Sequence, residues 1–385
     1  MLGALWPVRN LVNFASADGS AARTSDEKGR FSGGRLRPYH DRLADYVGVF
    51  FGQLPKIAIA AACWYYTVDM EAAAAGGTWS TAFALSCPAP GSVGGVVGCG
   101  WAARIVLRDL FLMLCVAGLW DWLLYFSPLK DRLAPYKFNA KYPPLSQLRR
   151  DVGWTLCATL LASAQEVLLM RWWGGGHFKA ALFGAPHDAA ELAVPHDAPF
   201  FGSSYTPYYL AWAGTMLYWR ISHFFFIHRG MHPWWDRKGG LHNGDVGAFL
   251  YRHVHAHHHQ SYNPTAFSGF SMTPVESIAY MSAALVPLCF RHGCHPWLHL
   301  YTKLDLIIGA QIGHDGFDAP GGGSYFHQLH HAHFECNYGD AAGIPWDWLF
   351  GCFEDGTSYD KSGRRGAAAA DVPPEGGGPE GKKAR

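Results

Sequence analysis

The 385-residue sequence predicts an all-α protein, a polytopic membrane helical bundle with a histidine-rich helical cap on its cytosolic side. Three observations lead there. Apolar runs of about 20 residues recur along the chain, the length a helix needs to cross a bilayer. Lys and Arg alternate between abundant and scarce in the connections between those runs. Of the 21 histidines, 17 fall between His223 and His333, a concentration that needs a chemical reason.

Taken in order, Met1–Phe14 is apolar with Arg9 and reads as a loose terminus, not a cleavable signal peptide. Residues 15–42 are rich in Ser, Gly, Asp, Lys and Arg and read as disordered. Val47–Thr67 is the first expected span, with Pro55 and Lys56 inside it. Ile105–Phe126 is the second, where Arg108, Asp109 and Asp121 imply a face turned to protein. Gly153–Met170 is the third, with Gln165 and Glu166 near its far end, and Tyr208–Ile227 is the fourth. Pro274–Phe290 and Pro296–Gly313 are shorter apolar runs and read as a re-entrant or tilted hairpin. Gly366–Gly381 reads as a disordered tail.

Charge sets the orientation. The first 46 residues carry seven Arg or Lys, 68–103 carry none, 127–152 carry six, and 171–207 carry only Arg171 and Lys179. Arg229, Arg237, Lys238 and Arg252 follow the fourth span. Four spans with both termini cytosolic satisfy this pattern, and they place every histidine cluster in the cytosol. Cys87 and Cys99 then fall in a lumenal loop, where a disulfide is permitted and two free thiols are equally acceptable. The terminal Lys382-Lys383-Ala384-Arg385 resembles a dilysine signal for return to the endoplasmic reticulum. A formal net charge of +1 gives no argument for nucleic acid, and nine Cys without a CxxC pair exclude a zinc ribbon.

The histidine spacing is that of metal ligands. His228 and His232 are four apart, while His255, His258 and His259, and again His327, His330 and His331, are spaced i, i+3, i+4. On helices such residues share a face, so three faces would each present imidazoles in one direction. Eight ligands, with His314 as a ninth, exceed what one tetrahedral zinc accepts and suit two metals. A metal-buffering histidine tract would be polar and of low complexity, whereas these histidines sit among Trp, Phe and Tyr. A zinc-dependent membrane hydrolase would want His-Glu-x-x-His, which is absent from the sequence. A metal transporter would carry ligands at mid-span, and a membrane scaffold leaves the ordered histidines unexplained.

The order His-x-x-x-His, His-x-x-His-His, His-x-x-His-His resembles the fatty acid hydroxylase superfamily, which includes sterol desaturases and methyl sterol oxidases. The flanks agree: His228-Arg229 to His232, Asn263 to Gly269, His314 to Phe317, His333 to Gly339 and Trp346 to Gly351. The resemblance implies a membrane-embedded non-haem di-iron enzyme of the endoplasmic reticulum. Such enzymes hydroxylate or desaturate a lipid with O2 and electrons from NAD(P)H by way of a b-type cytochrome. Its ligands fall on His228, His232, His255, His258, His259, His314, His327, His330 and His331, with His223 as a tenth candidate. Three departures stand out: His223 follows Ile-Ser, Phe326 precedes His327, and Asp318 occupies a place where some lipid hydroxylases carry another His. On this reading residues 1–46 form a cytosolic segment, 47–204 the membrane helices and loops, 205–358 the catalytic domain and 359–385 the tail. Asp236, Glu276, Asp315, Asp318, Glu335 and Asn337 are the polar residues near the clusters, and Asp318 and Asn337 are preferred as partners that orient the imidazoles. The expected substrate, a sterol or fatty acyl chain, enters sideways from the bilayer.

Overall fold

A computed structural model describes residues 24–25, 31–32, 43–69, 100–139, 141–174, 206–235, 240–289, 297–317, 323–341 and 343–356. Cys87, Cys99, Asp236, Asp318, the first 14 residues and the C-terminal tail lie outside these. Among the described residues the structure is almost wholly helical. Within the polar N-terminal segment, expected to lack structure, Thr24–Ser25 pairs antiparallel with Phe31–Ser32.

The apolar runs become helices. The first is α1, Leu43–Trp64. The second, α2, spans Gly100–Met113 and continues through π turns at Leu114–Gly118 and Trp122–Phe126. Next come α3, Leu145–Gly174, and α4, Thr206–Gly230. Among the described residues one helix, Leu145–Arg171 within α3, is both long and apolar enough to cross a membrane. Its 27 residues reach about 40 Å at about 1.5 Å per residue, against a hydrocarbon core of about 30 Å.

The cap follows. A short helix, α5 (Val246–Leu250), runs into a π turn at Tyr251–His255 and a 3₁₀ turn at His258–Gln260. Next come α6, Pro274–Met281, then α7, Trp297–Gly313, then α8, Gly323–His333, and finally α9, Trp346–Leu349. The two apolar runs expected to form a hairpin become α6 with the stretch after it, and α7, and their connection lies outside the described residues. After α6 the chain tightens into a 3₁₀ stretch, Ser282–Cys289, holding Pro287. Thirteen of the 17 residues of α7 are buried, from Trp297 to Gln311. A helix apolar on all sides reads from sequence as a membrane segment, but it is equally what a central helix of a protein core requires.

Ionic contacts at α7 tie the bundle together. Lys303 bonds Asp109 of α2 and Glu166 of α3, and Arg108 bonds the same two carboxylates. Asp305 pairs with Lys56 of α1 and with Arg220 of α4, which also reaches Asp340 at 3.0 Å. All the charges of the first set are buried, so each is compensated by a partner, as buried charge demands. The inward face predicted for Arg108, Asp109 and Asp121 is what the structure has. The opposite faces are greasy: Leu107, Phe111, Leu119 and Trp122, and Leu210, Tyr218 and Phe226, are exposed.

Candidate metal centre

Four elements deliver the histidines. His228 lies on the last turn of α4, and His232 just beyond its end. His255 closes the π turn, and His258 and His259 open the 3₁₀ turn. His314 follows the last residue of α7, and His327, His330 and His331 ride on α8. All nine are buried, the most exposed being His327 at 7%.

Their ligand atoms gather in two groups, each within 4.8 Å: His228, His232, His255, His259 and His330 in one, His258, His314, His327 and His331 in the other. This corrects the expectation that each histidine cluster presents all its rings in one direction. Each His-x-x-His-His motif gives its i, i+4 pair to one group and its i+3 residue to the other. His255 and His259 go with the five and His258 with the four, while His327 and His331 go with the four and His330 with the five. The two motifs are used reciprocally and so tie the groups together. For the motif of His255, His258 and His259 there is a further reason. Its residues straddle a π turn and a 3₁₀ turn, whose residue angles differ from the 100° of the α-helix that the spacing argument assumes.

The nitrogens meet at distances that decide what lies between them. Nε2 of His255 is 3.0 Å from Nε2 of both His228 and His259; His259 Nε2 is also 3.3 Å from His232 and 3.1 Å from His330. In the second group His314 Nε2 is 3.1 Å from His258 and 3.0 Å from His331. The opposite ring nitrogens are committed elsewhere. His228 Nδ1 donates to Tyr338 O at 2.6 Å, His330 to Cys336 O at 2.7 Å, His314 to Ala310 O at 2.7 Å, and His255 to Glu276 Oε1 at 2.6 Å. His258 Nδ1 reaches Ser271 O at 3.4 Å. With the proton on Nδ1, the Nε2 of a neutral imidazole is bare. Two bare nitrogens 3.0 Å apart repel, and a cation between them removes the conflict.

Geometry agrees. Ligands at right angles around a metal with bonds of about 2.1 Å lie about 3.0 Å apart, while tetrahedral ones lie about 3.4 Å apart. The observed 3.0–3.3 Å therefore suits a coordination number above four. His327 Nε2, buried with no hydrogen-bond partner among the described residues, is a further nitrogen that a metal would satisfy. Burial holds the rings neutral: it pushes His255 down to about 3 and His258 to about 4. His259, His314, His327, His330 and His331 lie well below the usual range through burial and neighbouring imidazoles. Neutral imidazole is the ligand form. Both groups consist of imidazoles alone among the described residues.

His223, the tenth candidate, joins neither group; its Nε2 lies 2.9 Å from Ser282 Oγ. Asn337 orients no imidazole directly. Its Oδ1 accepts from Glu354 N at 2.8 Å, its Nδ2 donates to Phe326 O and Glu354 O, and its φ is +53°. That turn aims Cys336 O and Tyr338 O at His330 and His228. Asp315 faces Trp120 Nε1 and Phe317 N. Glu335 Oε2 accepts from the Tyr338 hydroxyl at 2.7 Å, and its Oε1 lies 3.7 Å from His232 Nδ1. Asp151, absent from the expected partners, holds the loop after the second motif. Its oxygens accept from the hydroxyls of Ser261, Ser268 and Ser271 at 2.8–3.1 Å. Asp347 does the same for the loop after α8, accepting from Tyr338 N and Gly339 N.

Comparison with known proteins agrees with this site. Residues 212–352 match the family described as fatty acid hydroxylase. The chain is 25% identical over 283 residues to lathosterol oxidase of Homo sapiens, covering 68% of this chain and 81% of that protein. It is 25% identical over 152 residues to Delta(7)-sterol 5(6)-desaturase of Leptosphaeria maculans, covering 38% and 36%, and 28% identical over 167 residues to lathosterol oxidase of Rattus norvegicus, covering 40% and 46%. The chain thus spans less than half the length of those last two. No solved structure matches at a significant level.

Proposed function

We propose, from the match of residues 212–352 to the fatty acid hydroxylase family, that this chain is a membrane-bound di-iron oxidoreductase that uses O2 to hydroxylate or desaturate a lipid. The similarity to lathosterol oxidase and Delta(7)-sterol 5(6)-desaturase supports this reading, and a sterol is the substrate we favour over a fatty acyl chain. The observation that carries the reading is the pair of buried imidazole groups with bare nitrogens facing one another.

The ligands are His228, His232, His255, His259 and His330 for one iron, and His258, His314, His327 and His331 for the other; His223 is left out. With oxygen, such a pair supplies the oxidising power to break an unactivated carbon–hydrogen bond, which no side-chain acid or base can do. The chain's own residues hold and orient. Tyr338 O, Cys336 O, Ala310 O and Glu276 fix the rings, and Asp151, Asp347 and Asn337 fix the loops that carry those acceptors. Burial of all nine imidazoles keeps bulk water from the centre.

The protein is integral to the endoplasmic reticulum membrane, with four spans and both termini cytosolic. Support comes from the outward apolar faces of α2 and α4 around a charged interior, the inverse of a soluble protein's arrangement. Electrons come from NAD(P)H through a cytosolic b-type cytochrome. The test is lipid profiling of a strain lacking the protein, complemented with wild type or with His258→Ala. An accumulated sterol precursor that only wild type clears supports the proposal; identical profiles with and without the protein contradict it.

A further inference from the structure

Of the Nδ1 contacts described at the two groups, one differs in kind. His228, His258, His314 and His330 face backbone carbonyls, which are neutral. His255 donates instead to a carboxylate, Glu276 Oε1 at 2.6 Å, and both side chains are 2% exposed. Glu335, the other carboxylate near a ring, is 19% exposed and 3.7 Å from His232 Nδ1.

Glu276 is also costly where it stands. Its Oε2 is buried with no hydrogen-bond partner among the described residues. A carboxylate away from water is strongly disfavoured unless positive charge compensates it. Positive charge bound through His255 would supply that compensation. The backbone presents it deliberately: Thr273 caps α6 with a hydrogen bond from Glu276 N, placing the carboxyl in the first turn beside the π turn that carries His255.

We infer that Glu276 is a positioning residue that makes the two irons unequal, rendering the iron of the five-imidazole group harder to reduce than its neighbour. This deepens the proposed function and rests on its di-iron reading. An anionic acceptor at Nδ1 raises the basicity of the imidazole, and a more basic ligand favours the ferric state. The five-imidazole group has one more ring than the other and holds the ring hydrogen-bonded to Glu276, so both differences act in the same direction.

The test is a reductive titration of the iron-loaded full chain in detergent with dithionite, followed by Mössbauer spectroscopy, with iron content measured beside it. Wild type should reduce in two steps. In Glu276→Gln, the lower-potential step should move up towards the other with two irons retained, and Glu276→Asp, which keeps the charge, should lie nearer wild type. Two irons bound with unchanged steps in Glu276→Gln overturns the inference, as do equal shifts in Gln and Asp. If Glu276→Gln is recovered without iron, Glu276→Asp decides alone: separated steps support the inference and merged steps overturn it. Failure of wild type to bind iron sinks this inference and the di-iron reading together, whereas normal loading with unchanged steps sinks the inference only.

Discussion

At the scale of single residues, the histidines were legible and their backing was not. Periodicity finds His228, His232 and the two His-x-x-His-His motifs because imidazole is a costly residue to repeat by accident in apolar sequence. It cannot find Tyr338 O, Cys336 O or Ala310 O, since a carbonyl carries no residue signature, nor Glu276 as the partner of His255, 21 positions away. Removing one ring should therefore act on one group. His330→Ala should lose the iron held by the five and His258→Ala that held by the four, so metal analysis should read about one iron per chain or fewer in each, against about two in wild type. Unchanged iron in either variant counts against the assignment. Packing at Gly269 makes a separate prediction. A Cβ there would lie 2.1 Å from Ala310 O and 2.5 Å from its carbon, both backbone atoms that set His314. Gly269→Ala should destabilise the protein by about 3 kcal/mol, the upper range for overpacking, read as a lowered unfolding midpoint; an unshifted midpoint would refute the close approach.

Among the elements, the helices behave as their sequences predict, and the irregular turns carry the surprises. Tyr208–Ile227 becomes α4, Val47–Thr67 lies on α1 and the π turn Tyr65–Asp69 that extends it, and Gly153–Met170 lies within α3. The π turn at Tyr251–His255 has no periodic signal, yet with the 3₁₀ turn after it it accompanies the separation of His258 from His255 and His259. In the loop from Ser261 to Ser271, three serine hydroxyls share the Asp151 carboxylate of α3, more than a hundred positions earlier in the chain. Asp151→Ala leaves the hydroxyls of Ser261, Ser268 and Ser271 without this acceptor and takes from Arg150 its carboxylate partner. It should cost on the order of 3–5 kcal/mol, the range for breaking a buried charged network. Thermal unfolding measures it, and iron should be lost first from the group holding His258, whose Nδ1 faces Ser271 O. A loss below about 1 kcal/mol would show that the serines do not depend on Asp151.

For the whole molecule, the apolar runs foretold a mostly helical protein, and charge alternation supplies the orientation proposed for it. The central place of α7 was hidden, because a fully buried helix and a membrane segment are equally apolar to a reader of sequence. Topology is open to direct test in sealed microsomes: epitopes at either terminus should be cut by added protease, and an epitope placed between residues 68 and 99 should be protected. Protection of a terminus would contradict the four-span arrangement. The central claim is that two groups of neutral imidazoles, drawn reciprocally from two motifs, hold a pair of irons. X-ray absorption at the iron edge of the purified protein addresses it most directly. We expect about two irons per chain, each surrounded by nitrogen ligands at about 2.1 Å with the outer-shell scattering of imidazole rings. A protein that binds zinc alone, or iron without imidazole scattering, would contradict it.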